Sequence, residues 1–367
     1  MTNVESIKVS VVMPIYNAYG FLRPALDSVL SQTLREIEVI CIDDGSTDKS
    51  LEIIKEYQKA DARVRIITEN NAGPAIARNK GLLRARGEYV IFLDADDFYE
   101  PTLLEELYSL SVKESLDIAI AKYDIYNNKK GTYEDNVKVV HGEIFERGAV
   151  VSKNEFPDQI LLSTTGNVWN KLFNREFLVK KELSFHPDLR VFEDVYFVMS
   201  ALSLAARIGK VQSILIHHRV YSEQARNKLF RKYHKQFPLI YTSLKEFMMH
   251  NGVYAPLSQS FLNLSANRCY KIYNLLGRDA RAHLWDSLHD EYAESLGWSS
   301  FDPAEVEDDR VREFVANVLM FKHKVYLRRK KRGARVNVDA VPKVKKSQRN
   351  FKSFFGFIRD LFKKEKE

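Results

Sequence analysis

The sequence predicts an α/β fold: a mostly parallel sheet flanked by helices, followed by a helical subdomain and a basic, amphipathic tail. Three observations carry this. Short apolar runs alternate with helix-periodic segments through roughly the first hundred residues, the pattern of strands joined by right-handed helical crossovers. Successive apolar runs end in polar loops, at Pro14 to Asn17, Asp43 to Asp48 and Asp94 to Asp97. From Leu229 to Leu288, Phe237, Tyr241, Phe247, Phe261, Tyr270 and Tyr273 recur at helical spacing, the mark of a packed helical core.

The elements follow in order. Val9 to Met13 is a solid apolar run that Pro14 breaks, and Leu22, Ala25, Leu26, Val29 and Leu30 continue as one face of a helix. Glu38 to Ile42 is a second strand and Leu51 to Tyr57 its helix. Val64 to Ile67 is a third strand, followed by a helix from Pro74 to Arg86, with proline in the first turn and Gly87 as its stop. Tyr89 to Leu93 is a fourth strand, which delivers Asp94, Asp96 and Asp97 at its tip. Ile118 to Ala121 reads as a further strand, Tyr123 to Val137 as a polar stretch, and Val168 to Phe173 as a compact aromatic and basic segment. Asp194 opens a helix whose apolar positions run from Val195 to Ala206, and Ser213 to Ile216 is the last strand, leading into His217, His218 and Arg219. The predicted organisation is an α/β domain over residues 1–222, a helical subdomain over 223–325 and a tail over 326–367.

Composition bounds the function. The chain has 367 residues, 45% of them hydrophobic, enough to fill sizeable cores. Two cysteines, Cys41 and Cys269, make no disulfide framework and suit a reducing compartment. Met1 to Ser10 lacks the apolar stretch of a secretory signal, and no run of about 18 apolar residues marks a membrane span. The net charge of +7 is unevenly placed: Lys322 to Glu367 holds 17 Lys and Arg against 4 Asp and Glu, leaving 39 against 45 in the body. Within that tail Phe351, Phe354, Phe355, Ile358, Leu361 and Phe362 form an apolar helical face, with Lys352, Arg359 and Lys363 away from it. This is the pattern of a helix lying in a membrane surface, or of one docked on protein. No nucleic-acid-binding module accompanies the basic residues, so no nucleic-acid partner is expected.

In a parallel sheet the loops leaving the carboxyl ends of the strands lie along one edge, where ligands bind. Neither the dinucleotide-binding glycine pattern nor the P-loop pattern occurs, so a nucleotide on this edge must be held by carboxylates, a metal and an aromatic ring. Three adjacent carboxylates at Asp94, Asp96 and Asp97 repel one another and call for a cation, for which a hard divalent metal shared with phosphates is suited.

Taken together, VSVVMPIYN (Val9 to Asn17), IDDGSTD (Ile42 to Asp48), NNAGPAIARNKG (Asn70 to Gly81), GEYVIFLDADD (Gly87 to Asp97) and FEDVYF (Phe192 to Phe197) resemble the family 2 glycosyltransferases of the GT-A fold, of the bacterial polysaccharide type. The resemblance covers roughly Lys8 to Arg219 and implies a Rossmann-like domain that moves a sugar from a nucleotide diphosphate donor, UDP by default, to an acceptor hydroxyl with inversion. It implies Pro14, Tyr16, Asn17, Asp44, Arg78, Asp94 and Ala95 at the donor nucleotide, with Tyr16 stacking on the base, Asp44 hydrogen-bonding it and Asp94 near the ribose. It places Mn²⁺ or Mg²⁺ at Asp96, with Asp97 and His218 as further candidate ligands; His-His-Arg departs here from relatives with an aromatic residue before the arginine. Asp194 matches the general base, and Trp169, Asn170, Lys171 and Glu193 match positions near the acceptor. The implied partners are a nucleotide-sugar, a saccharide or lipid-linked acceptor, and the inner face of the cell membrane through the tail, in an otherwise cytoplasmic enzyme. A non-catalytic nucleotide-sugar binder or assembly protein would need the fold but not Asp194.

Overall fold

The structure is a computed structural model that describes residues 6–134, 143–145, 150–220, 232–300 and 305–332. The chain divides into two compact units. Among the described residues, the first holds 6–156 and 163–220 and the second 157–162 and 232–332.

In the first unit a ten-stranded sheet is built from β1 (Val9–Ile15), β2 (Ile37–Asp43), β3 (Val64–Thr68), β4 (Tyr89–Phe92), β5 (Phe98–Tyr99), β6 (Ile118–Asn127), β7 (Thr132–Glu134), β8 (Val150–Val151), β9 (Lys171–Asn174) and β10 (Ile208–Val220). The order is β3-β2-β1-β4-β9-β6-β10-β5, with β7 on β6 and β8 on β10. The first four strands pair in parallel. β9 is antiparallel to both β4 and β6, so β6 runs the same way as β4, and β10 is parallel to β6. Six strands therefore end on the same edge. Helices α1 (Leu22–Leu30), α2 (Ser50–Ala60), α3 (Pro74–Arg84), α4 (Leu103–Glu114), α5 (Arg175–Lys180) and α6 (Glu193–Leu204) complete the unit. All seven residues of β2 and all four of β4 are buried, as expected of strands covered on both faces.

Several details differ from the sequence reading. β1 runs through Pro14 to Ile15, because the register with β4 ends at Val12 and Phe92, so no ladder bond on that side needs the missing amide. The stretch from Tyr123 to Asn127 is strand, not loop, since β6 continues along β10 to the pair Asn127 and Val220. β10 is far longer than Ser213 to Ile216 and crosses register irregularities between Lys210 and Ile216, where bulges break the alternation that marks a strand. α3 stops at Arg84 rather than Arg86, with Ala85 already extended.

The second unit is helical, as expected: α7 (Gln236–His250), α8 (Ser258–Leu275), α9 (Arg278–Ser287), α10 (Asp309–Met320) and α11 (His323–Lys331). Of the aromatic residues read as its core, Phe237, Tyr241, Phe247, Phe261 and Tyr273 are buried and Tyr270 is half-buried. Trp285 and Trp298 are fully buried, each with its indole N–H satisfied, by the Phe321 carbonyl at 2.7 Å and by Ser265 Oγ at 3.0 Å. No helix of the described residues is long and apolar enough to cross a membrane. The amphipathic segment Gln348 to Lys364 lies outside the described residues.

Candidate active site

The first wall of the site is made by the ends of β1 and β2. After β1, Tyr16 stands 51% exposed at the rim. Asn17, in the left-handed region at φ 50°, accepts from the Thr47 amide at 2.8 Å through its side-chain oxygen, which ties the β1 loop to the β2 loop. Asp44 is buried, and its two oxygens accept from the amides of Ala72 and Gly73 at 2.7 and 2.9 Å. Gly73 has φ 96°, and a Cβ there would stand 2.7 Å from Nη1 of Arg190, which itself donates to the Ala72 carbonyl. Arg190 at this loop carried no signal in the sequence motifs.

The carboxylate loop follows β4. Asp94 Oδ1 accepts from Arg78 Nη2 at 2.9 Å, and Tyr99 donates to the Asp94 carbonyl. Asp97 is fully buried: His218 Nδ1 is 3.1 Å from each of its oxygens and the Arg219 amide donates to Oδ1 at 2.8 Å. Arg219 Nε also donates to the Asp96 carbonyl, so this arginine, which the motifs left unassigned, braces the loop. Ala95 is buried. The strand pairing explains why His217 and His218 part company: His217 bonds Asp124 and Glu100, while His218 faces Asp97 and stacks on Trp169 at 4.8 Å.

Asp94, Asp96 and Asp97 offer carboxylate oxygens within 4.8 Å of one another. Burial, then the charges of Asp97 and Asp94, push Asp96 up to about 7 against the opposing pull of His218. Among the described residues no side chain donates to Asp96. Crowded, hard oxygen donors with a poorly compensated charge fit a divalent cation such as Mg²⁺ or Mn²⁺.

The third wall is the start of α6. Phe192 precedes it in the left-handed conformation, at φ 59°, and no side chain caps the helix. Asp194 is the second residue of the helix rather than its cap, and its Oδ1 accepts from the Val195 amide at 2.8 Å. Burial and the neighbouring Glu193 push its carboxyl up to about 7, although Arg78 pulls the other way. Glu193 itself is turned to Arg78, whose Nη1 donates to Oε1 at 2.6 Å.

The three residues expected beside the acceptor are all buried: Trp169 stacks its ring on His218, and Asn170 and Lys171 are fully enclosed. The Lys171 ammonium donates to the carbonyls of Thr165 and Asn167 and to Asn170 Oδ1, at 3.0, 2.7 and 2.8 Å. Burial lowers this amine to about 7, opposed by the charge of Asp194.

The sequence motifs that supply the first two walls fall inside a known pattern. Residues 10–175 match the family described as Glycosyl transferase family 2. Over that stretch the chain carries the pattern of a family 2 glycosyltransferase. The putative glycosyltransferase EpsH of Bacillus subtilis is 29% identical over 252 residues, covering 68% of this chain and 71% of EpsH. The poly(ribitol-phosphate) beta-glucosyltransferase of Bacillus spizizenii is 31% identical over 207 residues, 55% of this chain, so that the chain spans under a third, 31%, of that protein. The structure of S. aureus TarS 1-349 in complex with UDP-GlcNAc superposes with a TM-score of 0.68 over 89% of this chain and 92% of TarS, at 19% identity. That likeness shows the fold, the GT-A arrangement of a mostly parallel sheet flanked by helices.

Proposed function

We propose that this glycosyltransferase is an inverting, metal-dependent enzyme that moves a sugar from a nucleotide diphosphate sugar, UDP-linked in the first instance, to a hydroxyl of a cell-surface polysaccharide or lipid-linked oligosaccharide. The observation that carries the reading is the separation of two kinds of carboxylate: a crowded cluster at Asp94 to Asp97, and one unclustered carboxyl, Asp194, raised toward neutrality on another element. A leaving diphosphate calls for the first and a single proton acceptor for the second. The UDP-GlcNAc complex of TarS supports a nucleotide-sugar donor, and the poly(ribitol-phosphate) enzyme supports a surface-polymer acceptor.

In this reading the exposed Tyr16 ring stacks on the base, Asp44 bonds it, and Pro14, Asn17 and Ala95 shape the loops around it. Asp94, held by Arg78, bonds the ribose. A divalent ion would be held by Asp96, with Asp97 and His218 completing or bracing its site, and would supply charge neutralisation to the departing diphosphate. Asp194 takes the proton of the acceptor hydroxyl as that oxygen bonds to the anomeric carbon. The bond from this carbon to the diphosphate oxygen breaks on the opposite side, and the nucleoside diphosphate leaves with the electron pair.

The test is a panel of UDP- and GDP-sugars with Mn²⁺ or Mg²⁺, following nucleoside diphosphate release and product stereochemistry. A UDP-sugar should be turned over with inversion, and chelation should stop it. Preference for a guanosine donor, retention of configuration, or full rate in chelator would each overturn the corresponding part. The basic tail is proposed to hold the enzyme at the inner face of the membrane. Sedimentation with anionic liposomes should need residues 348–367, and binding that survives their removal would refute it.

A further inference from the structure

Glu193 and Asp194 are neighbours at the start of α6, yet the proposed chemistry uses only Asp194. The Glu193 side chain is 9% exposed and its carboxylate meets Arg78 Nη1 at 2.6 Å. The other arm of the same guanidinium, Nη2, meets Asp94 Oδ1 at 2.9 Å. Arg78 is buried in α3 over the Phe185 ring, and its Nε has no partner among the described residues, so these two carboxylates carry its hydrogen bonding. Consecutive helical residues point about 100° apart, so fixing the direction of Glu193 fixes that of Asp194. Among the described residues no side chain caps this turn and none donates to Asp194, and Phe192 before it holds a left-handed conformation that is strained for a bulky residue. On the other flank Gly166 makes room for Val195, since a Cβ there would stand 2.7 Å from Val195 Cγ2.

We propose that Glu193 is a positioning residue: through Arg78 it ties the first turn of α6 to Asp94, so that the general base and the donor-binding carboxylate are held as one unit. The proposal rests on the reading of Asp194 as the base. It separates the roles of two adjacent acidic residues, one aimed at substrate and one turned inward to an arginine 115 positions earlier in the chain.

The test compares Glu193→Ala, Glu193→Gln and Glu193→Asp with the full chain, at saturating donor and metal. Glu193→Ala should lower kcat about 100-fold, the usual penalty for a displaced catalytic group, with donor affinity by calorimetry within about threefold. Glu193→Gln keeps an oxygen for Arg78 and should hold kcat within about tenfold. It should also move the acid limb of the pH profile lower, because of the charged groups that act on Asp194 (Glu193, Arg78, Asp94 and Lys171) it removes one that raises it. Glu193→Asp should fall between the two. Wild-type kcat in Glu193→Ala, or a loss confined to the acceptor KM, would overturn the proposal, the second by making Glu193 an acceptor contact. An unmoved acid limb in Glu193→Gln would overturn it as well. If Glu193→Ala fails to fold, the pH limb of Glu193→Gln and the graded kcat of Glu193→Asp still decide. Failure of the base assignment shows separately, as undiminished transfer by Asp194→Asn.

Discussion

Replacing Asp194 with asparagine should affect rate and stability in opposite directions, and both sizes follow from one property. Burial and Glu193 lift this carboxyl from its ordinary 3.8 to about 7, against the pull of Arg78. A base must be ionised, so transfer should rise with pH, with roughly a tenth of the full rate at pH 6, half near pH 7 and a plateau above pH 8. Asparagine keeps the shape and removes proton acceptance, which should lower transfer by about 10² to 10⁴-fold while metal-dependent donor binding persists. The sign for stability is the reverse. An acid whose pKa is raised by folding is neutral in both states at pH 3, costs more as the unfolded form ionises above about 3.8, and costs a constant amount once pH passes the folded value. Asparagine relieves that cost, of order 1 to 4 kcal/mol, so the variant should melt a few degrees above wild type at pH 8 and level with it at pH 3 to 4. The assays are initial rates from pH 5.5 to 9 and thermal melts over the same series extended to pH 3. A flat rate profile with a variant that retains over a tenth of wild-type turnover would refute the base. A variant that melts lower at pH 8 would refute the strained, desolvated carboxyl.

Asp96→Asn should weaken donor binding in Mn²⁺ at least about tenfold by calorimetry and leave metal-free binding unchanged, since the lost group is a carboxylate to which no side chain of the described residues is bonded. Asp44→Asn turns an NH₂ group toward one of the amides of Ala72 and Gly73, a cost of about 1 to 3 kcal/mol, and should raise the donor KM about tenfold in initial-rate assays with kcat little changed. Lys171→Met strips three acceptors, the buried Asn170 Oδ1 and two part-buried carbonyls, of their donor and should lower the melting temperature by several degrees, as about 1 to 3 kcal/mol of stability is lost. Gly166→Ala places a methyl 2.7 Å from Val195 Cγ2 and 3.1 Å from its Cα, so kcat should fall more than donor affinity when both are measured on the same preparation.

How much of this was legible in the sequence depends on whether the information is local. β1, β2 and β4 announce themselves because a strand buried on both faces reads as a nearly continuous apolar run, and their polar ends then mark the edge where the site lies. β9 does not announce itself: Lys171-Leu-Phe-Asn looks like surface, and only its place between β4 and β6 makes a lysine at its head fully buried. β10 is hidden by its own bulges. At the site, the motif singles out Asp94, Asp96 and Asp97 as a group, and the family resemblance parts Asp94 from Asp96 but leaves Asp97 open. The surroundings of Asp97 come from β10, whose His218 and Arg219 occupy its oxygens from more than 120 positions away. Glu193 shows the same limit, since next to Asp194 in sequence it looks like a substrate contact, and its actual partner is on α3.

That partner also resolves a conflict in the electrostatics. The proposed mechanism asks for negative charge in two places, to hold a cation at the carboxylate loop and to accept a proton at α6, and neighbouring charges of one sign raise one another and would weaken both functions. Arg78 is permanently charged, and it contacts Asp94 directly while lowering Asp194 through space. On the proposed assignment it therefore holds the Asp194 carboxyl at about 7 rather than higher. Lysine at this position could not reach two carboxylates with a rigid fork, so Arg78→Lys should shift the acid limb of the rate profile upward even where donor binding is restored by excess substrate.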